Sequence, residues 1–252
     1  MIFQFASDLH LEFPKNKKVF EKNGLLPKGD VLLLAGDIMP FAEMEKHKDF
    51  FDYIADHFKI TYWIPGNHEY YGFDVATKHG QMHEAIRPNL FLVNNDTVII
   101  EDKQLIFSTM WTHVGPVNAW AIQRRMNDFF QIKFEGKQLT PADYNFLHAE
   151  AMAFLKPAIE TKNEYKKIVV THHVPSLLNY PNKYKNDIIQ EGFAVELFDL
   201  IEPSFVHHWI YGHHHFNTPA FSIGQTQLCT NQLGYVQYNE HNWFKKEAFF
   251  SL

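Results

Sequence analysis

The chain has 252 residues with 46% hydrophobic content, a length that allows one domain with a large buried core or two small domains. Its formal net charge is -6, from 23 basic and 29 acidic residues, which excludes a diffuse positive surface that would hold a nucleic acid backbone. We therefore expect a single domain over residues 1–252, and a nucleic acid polymer is not expected as the substrate.

Short apolar runs recur along the chain, and most of them end in a small or polar cluster. Several are so continuously apolar that they are typical of strands buried on both faces. In chain order the predicted strands are Ile2 to Ala6, Val31 to Ala35, Ile60 to Ile64, Val98 to Ile100, Leu105 to Thr109, Ile168 to Thr171, His207 to Tyr211, Ile223 to Cys229 and Gly234 to Tyr238. The last two are expected to be antiparallel, which makes the predicted sheets mixed.

Four helices are predicted between these runs. They are Glu43 to Phe58, Phe73 to Ile86, Pro141 to Ile159 and Phe193 to Ile201. The third has a capping residue, Thr140, followed by a proline at the first helical position. Strands that alternate with helices predict an α/β domain. The least regular stretch, residues 112–138, is predicted to form a cap or lid over the site; an ordinary surface excursion is the alternative.

The composition also bears on the compartment. A single cysteine, Cys229, leaves no intramolecular disulfide and no thiolate metal site, which suits a reducing compartment. The N-terminus begins a strand at once, without the basic and apolar segments of a signal peptide. No apolar run approaches the ~20 residues that span a bilayer. We expect a cytoplasmic protein without a membrane span, and the oligomeric state stays open.

Polar clusters follow five of the predicted strands, and they contain many of the 16 histidines. Ligands bind beyond the carboxyl ends of strands in open α/β sheets, so five such clusters are expected to converge on one place. Histidine and carboxylate side chains gathered there indicate a metal site. The clusters are Asp8-Leu9-His10, Gly36-Asp37, Gly66-Asn67-His68-Glu69, Thr171-His172-His173 and Gly212-His213-His214-His215.

The spacing within two clusters also indicates chelation. In extended backbone, side chains at positions i and i+2 point the same way, so Asp8 and His10 would share a direction, as would His213 and His215. His214 would then face away, in a supporting, pocket-lining or structural role. Glycines precede three of the clusters, as expected where the chain turns sharply off a strand and a ligand approaches closely.

Taken together, the clusters resemble the blocks of the calcineurin-like metallophosphoesterase superfamily, D-x-H, G-D, G-N-H-[DE], a histidine block and G-H-x-H. All five blocks are intact, and the resemblance spans residues 8 to 215. The phrases from Ser7 to Phe13 and from Met126 to Asp128 also resemble a bacterial branch described only as phosphoesterase.

The resemblance implies a fold, a cofactor and a reaction. The fold is a four-layer α/β/β/α sandwich of two mixed sheets flanked by helices. The implied cofactor is two divalent or trivalent ions, and donors without sulfur suit Mn, Fe or Zn. The ions would give a bridging hydroxide that attacks a phosphate ester. The implied roles are Asp8, His10 and His215 on one ion, Asn67, His172 and His213 on the other, Asp37 between them, and His68 as the catalytic histidine.

The sequence differs from named branches of the superfamily, and the differences limit the substrates that we expect. The protein phosphatase block G-D-x-V-D-R-G is here Gly36-Asp37-Ile38-Met39-Pro40-Phe41, without that Asp and Arg, so phosphoprotein activity is not expected. A small-molecule phosphodiester or monoester remains. The alternative function is a non-catalytic metal-binding scaffold with the same fold; retention of all seven ligands and His68 argues against it. A metal-dependent hydrolase of another bond, such as an amide, would need a different ligand order.

Several neighbouring residues have two interpretations each. Glu69 would orient His68 or be an exposed carboxylate. Either Arg124 or Arg125, in the predicted lid, would bind a substrate phosphate, or both would lie on a solvated helix face. His173, like His214, is expected to support the site rather than to bind metal, and Trp111 would line the pocket or belong to the aromatic core.

Overall fold

Two six-stranded sheets pack against each other in the computed structural model, which describes residues 1–252 except for the side chain of Asn23. The strands are β1 (Ile2–Ala6), β2 (Val31–Ala35), β3 (Ile60–Ile64), β4 (Met82–Arg87), β5 (Leu90–Asn94), β6 (Asp96–Ile100), β7 (Lys103–Ser108), β8 (Lys133–Phe134), β9 (Lys137–Gln138), β10 (Lys166–Thr171), β11 (Val206–Tyr211), β12 (Phe221–Ile223), β13 (Thr226–Thr230) and β14 (Phe249–Ser251). The helices are α1 (Pro14–Asn23), α2 (Lys48–His57), α3 (Ala119–Arg125), α4 (Asp128–Gln131), α5 (Pro141–Glu160) and α6 (Phe198–Ile201).

Both sheets are mixed in the same way. The first has the order β14-β1-β2-β3-β5-β4, and the second has the order β12-β13-β11-β10-β7-β6. In each sheet the four inner strands run parallel, and an antiparallel strand closes each edge. The carboxyl ends of the parallel strands in a sheet therefore meet at one edge, where loops can form a site.

Alternating side chains place the core between the sheets and beneath the helices. Phe3 and Phe5 of β1 face the second sheet, whereas Leu32 and Leu34 of β2 face the opposite side, toward α2. The outer face of the second sheet is covered by α5, through residues such as Leu155. These layers confirm the predicted four-layer α/β/β/α sandwich of two mixed sheets.

The helix predicted over Phe73 to Ile86 is wrong. The chain forms a short 3₁₀ turn at Val75–Thr77 and then enters β4, which pairs antiparallel with β5. Gly80 has a φ of +71° between the two. A glycine in left-handed backbone interrupts a helix, and the hydrogen bonds gained by β4 at the edge of the sheet outweigh the helical propensity of its residues.

Other boundaries differ from the predictions for local reasons. The helix predicted from Glu43 is α-helical only over α2, and the helix predicted from Phe193 is α-helical only over α6. The strand predicted over Ile223 to Cys229 is broken by a turn at Gly224, whose φ is +56°. Gly234 to Tyr238 is not a strand but contains a 3₁₀ turn, and β13 pairs parallel with β11.

Residues 112–138 contain α3, α4 and the small β8–β9 hairpin. Ile122, Met126 and Phe129 from this segment pack into one apolar cluster with Trp111 and Tyr144. Trp111 thus belongs to the core, as one of its two interpretations had it. The role of the segment as a lid stays a prediction. In the part of the chain that the structure describes, no helix has the length and apolar character required to cross a membrane.

The buried side chain of Lys167 caps the C-terminal end of α5. Its replacement tests this part of the fold. Its Nζ donates to the carbonyl oxygens of Ala158, Ile159 and Thr161, which the helix leaves unpaired at its C-terminus. We expect Lys167→Met to lower the free energy of unfolding in urea by about 1 to 3 kcal/mol, because those carbonyls lose their donor. Lys166→Met, at an exposed neighbour, should change it by less than about 0.5 kcal/mol. Equal effects would contradict this assignment.

Candidate active site

The five polar clusters do follow strands, but their backbone is not extended. Asp8, His10, His213 and His215 have φ values of 54°, 47°, 77° and 49°. The prediction from alternating side chains is therefore wrong: Asp8 and His10 do come together in one group of donor atoms, but His213 and His215 belong to different groups. Left-handed conformations strain non-glycine residues and are often held at functional sites by surrounding bonds. Here the backbone N–H of Asp8 donates to Gly36 at 2.9 Å, for example.

Glycines that precede three of the clusters allow these loops to approach one another. A Cβ atom at Gly36 would collide with the ring of His172, and one at Gly66 would collide with the carboxylate of Asp37. One at Gly212 would collide with the carboxylate of Asp8 in the same way. The side chains that lie this close to the three glycines are themselves predicted metal ligands.

One group of donor atoms joins loops after β1, β2 and β11. Atoms of Asp8, His10, Asp37 and His215 all lie within 4.8 Å of one another. The Nε2 atoms of His10 and His215 are 3.0 Å apart, and Nε2 of His215 lies 3.3 Å from Oδ1 of Asp8. Oδ2 of Asp37 lies 3.7 Å from Nε2 of His10.

A second group lies on the other side of Asp37. Asp37, His172 and His213 also place donor atoms within 4.8 Å of one another. Nε2 of His172 lies 3.3 Å from Oδ1 of Asp37, 3.1 Å from Nδ1 of His213 and 3.1 Å from Oδ1 of Asn67. The structure thus brings all seven residues together in the two predicted sets, with Asp37 common to both.

Each of these side chains makes a hydrogen bond on its outer side. That bond determines whether the atom on its inner side is a donor or an acceptor. Nδ1 of His172 donates to the carbonyl of Ala35 at 2.8 Å, so its Nε2 presents a lone pair. His10 and His215 contact carboxylates through Nδ1 in the same way, at 3.2 Å and 2.8 Å. The amide nitrogen of Asn67 donates to Asp128, which turns its oxygen inward. When the rings are neutral, the facing atoms of these four residues are acceptors, and such a set fits cations between them.

The pKa values of the histidines in the two groups show where positive charge is stabilised. Burial alone lowers the pKa of a histidine, yet Asp37 outweighs it and raises the pKa of His172 to about 9. Burial is likewise outweighed at His215, where hydrogen bonds with Asp8 and Glu240 raise the pKa to about 10. At His10 and His213 burial prevails and lowers the pKa. The carboxylates therefore stabilise positive charge at His172 and His215, where a bound cation would take the place of the proton.

His68 lies beside the donor groups without belonging to either group that contains Asp37. Its ring stacks on Tyr71, with centroids 3.9 Å apart. Nδ1 lies 3.0 Å from Oε1 of Glu12, and Nε2 lies 3.1 Å from the hydroxyl of Tyr235. Burial lowers its pKa, but Asp37 and Glu12 outweigh this, so the pKa is raised overall. The ring is therefore held on three sides.

A cavity of about 320 Å³ opens over the donor groups. Asp37, His68 and His213 line its floor. Arg125 lines the wall, where its guanidinium lies 3.4 Å from the carboxylate of Asp187, whereas Arg124 lies over the ring of Trp120 instead. The volume is at the lower end of the range for small-molecule sites.

Comparison with known families decides how this site is classified. The model of the calcineurin-like phosphoesterase family matches residues 1–217. The chain belongs to that family. The match covers every one of the seven donor residues and His68, and the remaining residues, 218–252, contribute Tyr235 and Glu240 to the phosphoesterase site.

Sequence and structure comparisons each found similar proteins. An uncharacterized protein of Acanthamoeba polyphaga mimivirus is 29% identical over 278 residues, covering 100% of this chain and 96% of the relative. The phosphopantetheinyl hydrolase of Mycobacterium tuberculosis has a similar fold, with a TM-score of 0.64, 17% identity and coverage of 93% and 90%. A dimetal phosphatase from Danio rerio has a TM-score of 0.44, 11% identity and coverage of 92% and 87%.

Both interpretations of Glu69 in this phosphoesterase are wrong. It is buried and accepts hydrogen bonds from the backbone N–H groups of Asp37, Ile38 and Gly66 and from Trp63. Burial and Asp37 raise its pKa to about 8. Glu69 therefore ties the second cluster to the third, and a different carboxylate contacts His68.

Two residues to which the sequence analysis gave no role, Glu12 and Asp128, lie in the site of this phosphoesterase. Glu12 contacts His10 and His68, and Asp128 holds Asn67 and Tyr71 at 2.8 and 2.9 Å. Both belong to the two sequence phrases that resemble the bacterial branch, and that resemblance could have indicated their role in the site. No sequence signal pointed to Tyr235 or Glu240.

The two spare histidines of the phosphoesterase have partners away from the donor groups. His173 contacts the hydroxyl of Tyr144 through Nε2 and the carbonyl of Thr109 through Nδ1. Nδ1 of His214 accepts from Gln232 at 2.8 Å. Each therefore fixes a loop that carries a donor residue.

Proposed function

We propose that this phosphoesterase hydrolyses a small-molecule phosphate ester with two metal ions, Mn, Fe or Zn. The observation that carries the proposal is the pair of donor groups that share Asp37 at the floor of the cavity. Asp8, His10 and His215 would hold one ion, and Asn67, His172 and His213 the other, with Asp37 contacting both. When bound, the ions activate water and neutralise phosphate oxygens.

The protein's own residues would position and protonate the substrate. His68 faces the cavity beside Asp37, so its Nε2 is placed to donate to an oxygen of the phosphate or of the leaving group. Carboxylates around Asn67 and the ligand histidines keep the donor atoms directed inward. The modest cavity volume supports a small molecule rather than a polymer.

Side-chain charge on the cavity wall, away from the proposed ions, favours a phosphodiester over a monoester. Among the residues that the structure describes, Arg125 is the one lysine or arginine lining the cavity, and it is already close to Asp187. Asp128 and Glu240 line the cavity as well. A monoester carries one more negative charge than a diester, and that charge near a carboxylate at ~4 Å costs about 1 to 4 kcal/mol.

We therefore expect bis(p-nitrophenyl) phosphate to be hydrolysed with a kcat/KM at least about tenfold above that of p-nitrophenyl phosphate. Both substrates release the same leaving group, and they differ in one negative charge and one aryl group. The purified protein would be loaded with Mn, its metal content measured, and His68→Ala run beside it. A preference for the monoester would contradict the charge argument. Hydrolysis of neither, with metal bound, would instead favour the scaffold alternative.

A further inference from the structure

Glu12 occupies a position between a predicted metal ligand and the predicted catalytic histidine. One of its oxygens, Oε1, lies 3.2 Å from Nδ1 of His10 and 3.0 Å from Nδ1 of His68. Its side chain is only 10% exposed. Both contacts are to imidazole nitrogens, and a carboxylate acts there as the acceptor of two N–H donors.

The contact with Glu12 determines which nitrogen of His68 carries a hydrogen, because a carboxylate oxygen 3.0 Å from Nδ1 accepts from an N–H group there. With a hydrogen on Nδ1 of His68 directed at Glu12, the other ring nitrogen points toward the cavity. Nε2 lies there 3.1 Å from the hydroxyl of Tyr235, so the cavity side of the ring can hydrogen-bond to an oxygen.

We propose that Glu12 is a positioning residue that holds His68 with Nε2 directed at the leaving-group oxygen of the substrate. The proposal rests on the proposed function, because it assigns His68 to the leaving group rather than to a phosphate oxygen. Nε2 already contacts an oxygen on the cavity side, the hydroxyl of Tyr235, at 3.1 Å. Stacking on Tyr71 prevents the ring from tilting out of that line.

A water oxygen bonds to phosphorus, the bond from phosphorus to the leaving oxygen breaks, and its electron pair stays on the leaving oxygen. That oxygen takes the proton from Nε2 of His68 and departs as an alcohol. One proton of the water restores His68, and the other stays on the phosphate product. The sum is one ester and one water giving one phosphate product and one alcohol.

Glu240 offers a matched control within the same site. It contacts Nδ1 of a ligand histidine, His215, at 2.8 Å, as Glu12 contacts His10. It has no hydrogen bond to His68 in the part of the chain that the structure describes. Glu12→Gln and Glu240→Gln therefore both weaken the support of a ligand histidine, and only the first also weakens the support of His68.

The experiment uses ethyl aryl phosphodiesters whose leaving groups range from p-nitrophenol to phenol, at saturating Mn with metal content measured. Phenol is the poorer leaving group and needs the proton more. Glu12→Gln is expected to lower kcat for the phenyl ester about 10- to 100-fold and for the p-nitrophenyl ester less than about threefold. Glu240→Gln should leave the ratio of the two esters at the wild-type value.

Combining Glu12→Gln with His68→Ala distinguishes action through His68 from action through His10. The double variant is expected to be no slower than His68→Ala alone, because the two residues act as one unit. An additive loss, or the same change of ratio in Glu240→Gln, would overturn the proposal. Failure of the proposed function would appear differently, as an inactive wild-type protein with metal bound.

A spectroscopic measurement tests the same contact without turnover. The proton on Nδ1 of His68, identified by its absence in His68→Ala, should give a downfield signal protected from exchange in the nuclear magnetic resonance spectrum. Glu12→Gln should shift or broaden that signal, and Glu240→Gln should leave it in place. A wild-type His68 that carries no hydrogen on Nδ1 would overturn the proposal whatever the activity.

Discussion

Replacing Asp37 with alanine is expected to remove both metal ions and to lower kcat/KM for bis(p-nitrophenyl) phosphate by about three orders of magnitude or more. The reason is geometric. Asp37 places one oxygen 3.7 Å from His10 and the other 3.3 Å from His172, and it is the residue common to both donor groups. Metal content by elemental analysis and steady-state kinetics at matched Mn concentrations provide the measurement.

His215→Ala is the matched comparison for Asp37→Ala. His215 belongs to one donor group only, so this variant should keep the ion held by His172 and His213. Its loss of activity should be smaller than that of Asp37→Ala. Equal metal content and equal turnover in Asp37→Ala and the wild-type protein would contradict the bridging role, whatever the substrate.

Replacing His68 with alanine is expected to lower kcat for the same diester about 10²- to 10⁴-fold while both ions stay bound. The side chain contacts Glu12, Tyr71 and Tyr235 and lies outside the two donor groups that share Asp37. Loss of the ring therefore removes a donor to the reacting oxygens without removing a metal ligand. The kinetics and the metal content would be measured on the same preparation.

His113→Ala controls for the loss of an imidazole as such, since His113 is exposed and makes no contact with the donor groups in the described structure. It should behave as the wild-type protein in both measurements. A His68→Ala variant that also loses its metal would show that His68 supports the metal centre rather than the chemical step.

The strands that carry the site were predictable because their signal is local. The continuous apolar runs before Asp8, Asp37 and Asn67 exist because the parallel inner strands are buried on both faces. A residue that directly follows such a run lies at the edge of the sheet wherever the strand pairs. Each cluster was therefore predictable at a strand end, whereas the packing of the two sheets brings the ends of β1, β2 and β3 together with the ends of β10 and β11.

The backbone conformation of the loops that carry the clusters could not be predicted from local patterns. The left-handed conformations of residues such as His213 and His215 depend on bonds to distant loops, for example the donation from the N–H of His213 to Asp8 at 3.0 Å. A periodicity argument assumes regular backbone and fails where such bonds determine the turn. The helix predicted over Phe73 to Ile86 failed for a related reason, since only the position of β5 makes a strand of β4.

The sequence by itself determined an α/β fold with mixed sheets and five polar clusters at strand ends, because apolar runs and the residues that follow them encode strand ends locally. The four-layer sandwich, the seven donor residues and the role of His68 were implied by the resemblance to the phosphoesterase family, and the roles of those residues stay predictions. Only the tertiary structure decided which carboxylates hold those donors. Glu12, Asp128 and Glu240 acquire their roles from neighbours that are 25 or more residues away in the chain, apart from the contact between Glu12 and His10. Hydrogen bonds between distant loops depend on the folded arrangement of all of them, and no local pattern records that arrangement.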